Sequence, residues 1–245
     1  MENVKSKVIA ITGASSGIGR ATALRLASHG AMLVLGARRT EQLEALQREI
    51  EAADGSATFR QTDVRDRTSM QALVDLACNE FGRLDVLVSN AGIGPISKLD
   101  ELQLDDWDAM IDINFRGVLY GIAAALPVFR RQKAGQFVTI ISTAGLRIVP
   151  GQAVYAATKN AVRTLLEGLR QEAGPKLRVT GISPGYVRSE FGNSIRDPAL
   201  RDQVARGVET VALDPDAIAG AVEFAIAQPT DVDVGDIVVR PTAQG

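Results

Sequence analysis

The stretch Ile11-Thr12-Gly13-Ala14-Ser15-Ser16-Gly17-Ile18-Gly19 sits between an apolar run, residues 7–12 (KVIAIT), and a helical pattern over Gly17–Ser28. Strand, glycine turn and helix follow one another without a gap. Gly13 permits a tight turn, Gly17 a close backbone approach and Gly19 close helix packing, so the helix N-terminus faces a position suited to a pyrophosphate. The spacing is G-x-x-x-G-x-G rather than G-x-G-x-x-G, and no Gly-Lys-Ser/Thr follows, which excludes a P-loop. Taken without the rest of the chain, the same glycines also suit a plain surface turn.

Outward from this turn, short β-branched runs alternate with longer helical patterns. Strands are predicted at residues 7–12, 32–36, 57–61, 84–89, 137–142, 177–182 and 236–239. Helices are predicted at 17–28, 40–53, 69–81, 105–131, 155–173 and 215–227. Several of the strands are continuous apolar runs, as expected of a parallel sheet covered on both faces, and the helix-length connections match right-handed βαβ units. The expectation is an α/β fold: one Rossmann-like domain over residues 1–245, a seven-stranded parallel sheet with helices on both faces. In the second helix Leu43, Leu46, Ile50 and Ala53 form the inward stripe. Asp105 or Asp106 is read as the cap of the long helix, with Trp107, Met110 and Ile111 as its first inward turn. Residues 186–207 have weak periodicity and precede the last helix, a place suited to a substrate loop that acts as a lid.

Composition narrows the function classes. The chain has 245 residues, 46% of them hydrophobic, and its 27 Lys and Arg against 29 Asp and Glu leave a formal charge of -2. A polyanion binder normally carries a basic surplus, so no nucleic-acid partner is expected. The single cysteine, Cys78, rules out an internal disulfide and thiolate-rich metal sites; the single histidine, His29, read as a helix C-terminal cap or surface group, leaves little for a Ser-His-Asp triad, and no metal is expected. No apolar stretch is read as reaching the ~20 residues of a membrane helix, so no membrane partner is expected and a cytoplasmic location is.

Candidate chemistry lies at the ends of the predicted strands. After the second strand the chain reads Gly36-Ala37-Arg38-Arg39, with no acid for ribose hydroxyls and two guanidinium groups suited to a 2′-phosphate, though also ordinary as solvated charges. Asp63, followed by Val64, comes after the third strand, where its carboxylate can accept from an adenine amino group or cap a loop. Ser89-Asn90-Ala91-Gly92 ends the fourth, and its small residues let a ligand cross the sheet edge; Asn90 is read first as a knit between neighbouring strands. Ser142 is placed at the close of the fifth strand. Tyr155 and Lys159 lie four apart on the next helix, hence on one face. An ammonium beside a phenol favours the phenolate and lowers its pKa from ~10, while Ser142 can hydrogen-bond a substrate oxygen as charge builds on it. A lone Tyr-x-x-x-Lys is equally a core tyrosine and a surface lysine; its place after the fifth strand gives it weight. Asn114 is a poor mid-helix residue whose side chain can bond a backbone carbonyl or hold a water.

Taken together these motifs resemble the short-chain dehydrogenase/reductase family over essentially the whole chain. T-G-x-x-x-G-x-G is met by Thr12 to Gly19, and N-N-A-G by Ser89 to Gly92 with its first Asn changed to Ser. The family's catalytic Asn, Ser, Tyr and Lys match Asn114, Ser142, Tyr155 and Lys159. Its Pro-Gly element matches Pro184-Gly185, and its following Thr matches Ser189 with the hydroxyl retained. The resemblance implies an oxidoreductase that uses NADP(H) and acts on CH-OH groups, interconverting a small ketone or aldehyde and its alcohol. Tyr155 would be the general acid and base, Lys159 would lower its pKa and bind the nicotinamide ribose, Ser142 would orient the carbonyl, and Asn114 would anchor a water in a proton relay. It also implies cofactor contacts from Gly13, Ser15, Ser16, Gly17, Ile18 and Gly19, from Arg38, Arg39, Asp63 and Val64, from Asn90, Ala91 and Gly92, and from Pro184, Gly185, Val187 and Ser189.

Fatty-acid 3-oxoacyl reductases of the family carry an Asn before the catalytic Tyr and a Gly-Gly tail; here Val154 precedes it and the chain ends VVRPTAQG. The resemblance is nearer to the NADP-dependent reductases of small hydroxy acids, ketones and aldehydes. A 3-oxoacyl thioester reductase and a non-catalytic NADP-binding protein are the alternatives. Residues 94–96, Leu146, Val149, Gln152, Tyr186 and Phe191 are the expected pocket walls, and the arginines at 188, 196, 201 and 206 raise the question of an acidic substrate. A homo-oligomer, a tetramer by family likeness, is expected.

Overall fold

Val8–Thr12 forms β1, and every side chain in it is buried. Ile9 and Ile11 pack into one core and Val8 and Ala10 into another, which is what a strand covered on both faces requires. The computed structural model describes residues 4–244. After β1 come α1 (Gly17–Ser28), β2 (Met32–Ala37), α2 (Thr40–Ala52), β3 (Ser56–Gln61), α3 (Arg67–Phe81), β4 (Val86–Ser89), α4 (Leu104–Met110), α5 (Gly117–Gln132), β5 (Gly135–Ile140), α6 (Ala153–Ala173), β6 (Leu177–Pro184), α7 (Pro198–Val211), α8 (Pro215–Ala227) and β7 (Asp236–Val239).

The seven strands form one all-parallel sheet in the order β3-β2-β1-β4-β5-β6-β7. Residues from α1, α2 and α8 pack with Ile9, Leu33 and Val86 on one face, while α3, α5 and α6 pack with Val34, Leu87 and Phe137 on the other. The fold is a single Rossmann-like domain. Strand order reverses between β1 and β4, and this switch point opens a crevice at the carboxyl ends of the strands, where such sheets take ligands.

The structure moves several expected boundaries. Leu84 and Asp85 precede β4: the Asp85 carboxylate accepts the Val8 N–H at 2.9 Å, so a side chain does there what the ladder does further on. Ala53 is exposed at the end of α2, leaving Leu43, Leu46 and Ile50 as the buried stripe. Neither Asp105 nor Asp106 caps the long helix. Gln103 precedes it, both aspartates lie in its first turn, and the buried Asp106 accepts from Arg196 at 2.8 Å. Ile111 is exposed rather than inward, because the helix is interrupted at Ile111–Arg116 by a π-helical turn. Residues 186–207 hold a short 3-10 turn, Glu190–Ser194, and most of α7. Asp197 caps α7 by accepting from Ala199 N–H at 2.8 Å, with Pro198 at the first helical position.

By length and composition Leu104–Gln132 would serve as a membrane helix, contrary to the sequence expectation. Its second half is a core helix: Val118, Ala124, Ala125, Val128 and Phe129 pack beneath the sheet. His29 ends α1, with its Nδ1 3.0 Å from the buried Glu223 carboxylate of α8.

Candidate active site

The crevice is walled first by the glycine turn. Gly13 and Gly17 hold φ of 66° and 52°, and a Cβ on Gly13 would lie 2.8 Å from Ala91 Cα. Only glycine lets the β1 turn and the β4 end approach this closely. Asn90 knits them together as expected, its Nδ2 donating to the carbonyls of Thr12 at 3.0 Å and Gly13 at 3.1 Å. Thr12 completes the joint, its Oγ1 accepting the N–H groups of Asn90 and Ala91. Ser16 occupies the N-cap of α1 but makes no capping bond; its hydroxyl instead accepts from Arg39 at 2.7 Å. The first turn holds no acid. The N–H groups there stay available to an anion, and in this respect the residues fit a dinucleotide's pyrophosphate.

A cavity of about 980 Å³ runs from this turn to α6. Its lining includes Gly13, Ser15, Ser16, Gly17, Ile18, Arg38, Arg39, Asp63 and Val64 at one end. Asn90, Ala91, Gly92, Ser142, Tyr155, Lys159, Pro184, Gly185, Val187 and Ser189 line the rest. One expected cofactor contact, Gly19, and one expected catalytic residue, Asn114, lie outside the lining. Gly19 backs onto its own turn, where a Cβ would sit 2.3 Å from the Gly13 carbonyl oxygen, and Asn114 stands behind the wall. At the first end Arg39 also donates to Ser15 and pairs with Glu190 at 2.9 Å. Among the described residues Arg38 makes no side-chain hydrogen bond or ion pair. Arg65 holds the Asp63 carboxyl below its usual range, with hydrogen bonds to both carboxylate oxygens.

At the other end Ser142 lies beyond β5, not within it. Its backbone leaves the ladder, and Oγ caps the turn Thr143–Gly145 by accepting Ala144 N–H at 3.1 Å. Tyr155 and Lys159 share one face of α6 and both are buried. The Lys159 ammonium donates to the Ile140 carbonyl at 3.1 Å and lies 5.9 Å from the Tyr155 ring centre. Burial pushes the Tyr155 phenol up to about 12, opposed by a hydrogen bond with Ser142, and pulls Lys159 down to about 8. Burial is the largest influence on both groups, and the lowering of the phenol by the lysine expected from the sequence does not show among the causes of either shift.

Asn114 explains the π turn. Its amide leaves the helix to accept Ile93 N–H and donate to Ile93 O, both at 2.9 Å, and to reach the Thr158 hydroxyl at 3.3 Å. Such a widened turn often marks a functional position. A Cβ on Gly92 would lie 3.3 Å from Asn114 Oδ1 and 3.4 Å from Lys159 Nζ, so both polar atoms approach the Gly92 backbone closely from the same side.

The expected pocket walls largely line the cavity: Ile96, Leu146, Val149, Gln152, Tyr186 and Phe191 do. Gly94 and Pro95 do not; the Phe191 ring covers Gly94, with Cζ 1.8 Å from where a Cβ would be, and meets Tyr155 edge-on at 5.2 Å. Arg188 and Arg196 pair with Asp214 and Asp106 away from the cavity, whereas Arg147 and Arg240 line it. Sequence reading missed Val204, Val208 and Val211 of α7 and the tail residues Ala243 and Gln244. The Asp-Pro cap was the local signal for α7; the tail offered none.

The family model for short chain dehydrogenases matches residues 7–199. An uncharacterized oxidoreductase of Staphylococcus saprophyticus is 45% identical over 247 residues, spanning 100% of this chain and 99% of its own. Among solved structures, an alcohol dehydrogenase from the archaeon Thermococcus sibiricus, complexed with 5-hydroxy-NADP, is 33% identical. It covers 98% of this chain and 99% of its own, with a TM-score of 0.88. A short-chain dehydrogenase/reductase from Burkholderia phymatum in complex with NAD is 30% identical, covers 97% and 90%, and also superposes with a TM-score of 0.88. Sheet order, glycine turn and the match along the chain agree: this protein is an oxidoreductase of the short-chain dehydrogenase/reductase family.

Proposed function

We propose that the protein is an NADP(H)-dependent reductase and dehydrogenase that interconverts a small ketone or aldehyde and its alcohol, with Tyr155 as general acid and base. The observation that carries this reading is the continuity of one cavity from Arg38 and Arg39 to Ser142, Tyr155 and Lys159. The turn 13–17 and the open first turn of α1 would hold the pyrophosphate, and Lys159 the nicotinamide ribose. When bound, the nicotinamide supplies or takes the hydride. The phenol, kept protonated by its burial, gives its proton to the carbonyl oxygen in reduction. Ser142, already within hydrogen-bond reach of that phenol, orients the same oxygen and strengthens its hold as negative charge develops. Lys159 stabilises the phenolate left behind, and a water between Lys159 and Asn114, whose polar atoms both lie close to Gly92, would return the proton. The walls are mostly apolar, which favours a compact neutral or mildly polar carbonyl compound.

Preference for the 2′-phosphate rests mainly on Arg38, since Arg39 already serves Ser15, Ser16 and Glu190. A charge-assisted, bidentate contact supports roughly 10²-fold discrimination. Measured as kcat/KM for NADPH against NADH on a ketone from a panel of small carbonyl compounds, wild type should favour NADPH by that order. Arg38→Ala should lose most of the preference while NADH kinetics stay nearly unchanged. Equal values for wild type would overturn the phosphate reading.

Residues 186–207 are proposed as a lid. Ser189 lies against the glycine turn, 3.3 Å from where a Gly17 Cβ would be, and Phe191 against Tyr155, so the segment spans both ends of the cavity. Hydrogen exchange should slow across it when NADPH binds. Equal protection with and without NADPH would count against a lid.

A further inference from the structure

Beyond β7 the chain turns back on itself, with Gln244 N–H donating to the Pro241 carbonyl at 3.0 Å. Arg240, Ala243 and Gln244 thereby line the same cavity as Tyr155 and Lys159. The Gln244 side chain then reaches across to the segment leaving β6. Its Oε1 accepts Tyr186 N–H at 2.9 Å, and the amide lies close against Gly185, where a Cβ would come within 2.1 Å of Oε1. Gly185 in turn donates its own N–H to the Val239 carbonyl at 2.8 Å. Residues 185 and 186 are therefore held by the sheet ladder through one N–H and by the tail through the next. Those two bonds fix successive peptide planes where the backbone passes from a strand into the wall of the site, and 185 must be glycine for the tail to close on it.

We infer that Gln244 is a positioning residue for the reaction: its side-chain oxygen, seated over Gly185, sets the backbone of residues 184–187 that forms part of the cavity wall. The inference rests on the cofactor-binding reading of this cavity. Pro184, Gly185, Tyr186 and Val187 all line it, so a shift of their backbone changes its shape directly. Gln244 itself gives and takes no proton in the reaction.

Two full-length variants separate this role from a merely structural one. Gln244→Met keeps side-chain length and loses the acceptor, whereas Gln244→Glu keeps an acceptor oxygen. Each is titrated with NADPH and NADH, assayed for kcat and KM on a ketone that wild type reduces, and followed by hydrogen exchange at the Tyr186 amide. One neutral hydrogen bond is worth about tenfold in an equilibrium. The expected result for Gln244→Met is therefore about tenfold weaker cofactor binding or higher KM, kcat changed by less than about threefold, and faster exchange at Tyr186, with Gln244→Glu restoring most of the loss. Faster exchange with wild-type affinity and KM would overturn the inference, leaving a tail that only fastens the fold. Unchanged exchange would overturn it as well. A wild-type protein that bound neither dinucleotide would overturn the cofactor reading and this inference with it, whereas normal wild-type binding with unaffected variants overturns the inference alone.

Discussion

Tyr155→Phe is expected to lower carbonyl reduction by at least ~10²-fold while leaving fold and cofactor affinity close to wild type, the cost of losing a positioned proton donor. Ring volume is kept, so the edge-on contact with Phe191 and the packing against Ile96, Met110 and Ala144 survive. What disappears is a buried hydroxyl and its hydrogen bond with Ser142. Tyr155 and Tyr186 both line the cavity among the described residues, and it is the Tyr155 ring that lies 5.9 Å from the Lys159 ammonium. The check is kcat/KM in the reductive direction together with a cofactor titration of the variant. Near-wild-type turnover by a folded, cofactor-binding Tyr155→Phe protein would remove Tyr155 from its proposed role.

Lys159→Met is expected to act in opposite directions on activity and stability. Activity should fall by ~10²-fold or more, because the phenolate loses its neighbouring ammonium and the ribose a donor. Lys159→Arg should recover only part of this, since a planar fork cannot take the place of a compact ammonium. Stability should rise near neutral pH. Burial lowers the Lys159 pKa from 10.5 to about 8, so the folded protein resists carrying a charge that the unfolded chain bears freely. The cost is full below pH ~8 and vanishes as pH rises through ~10.5, on the order of 3 kcal/mol before the bond to Ile140 O is set against it. Urea denaturation should therefore show Lys159→Met more stable than wild type at pH 7, with the gap closing by pH ~10.5. Tyr155 titrates in both proteins and cancels from the difference. The same lysine predicts that wild-type kcat/KM for reduction declines as pH rises through about 8, a limb absent from Lys159→Met. A variant no more stable than wild type at pH 7 would show that the ammonium is not desolvated as its surroundings imply.

The glycine turn, the buried strands and the order of the motifs were legible because each is local. An apolar run too short for a helix, a turn that needs positive φ and a period of 3.6 leave their marks within a dozen residues. That is why residues 11–19, the parallel sheet and the shared face of Tyr155 and Lys159 all emerge from sequence, and why the family match extends along residues 7–199. The arginine pair after β2 was legible for the same reason: it stands at a strand end, where the fold puts a ligand.

Elsewhere local signals were overruled by partners distant in the chain. Asn114 looks like a defect in a long helix until Ile93, twenty-one positions earlier, takes both ends of its amide and widens the turn. Ser142 reads as a strand end because Phe137–Ile140 is strand-like, yet its hydroxyl is committed to the turn that follows. No feature of residues 240–244 marks a cavity wall; Gln244 acquires that place from Tyr186, fifty-eight positions earlier. The pairing of Lys159 with Tyr155 was readable, but the effect of burial on each was not, because spacing brings the two groups together whereas distant segments decide how much water reaches them. The sequence by itself determined the sheet, the turn and the shared helix face of Tyr155 and Lys159, since these depend on local conformational preference and hydrophobic period. Only the tertiary structure decided their solvation, the widened turn beneath them and the tail that closes the wall, since those depend on which distant segments exclude water from the same point.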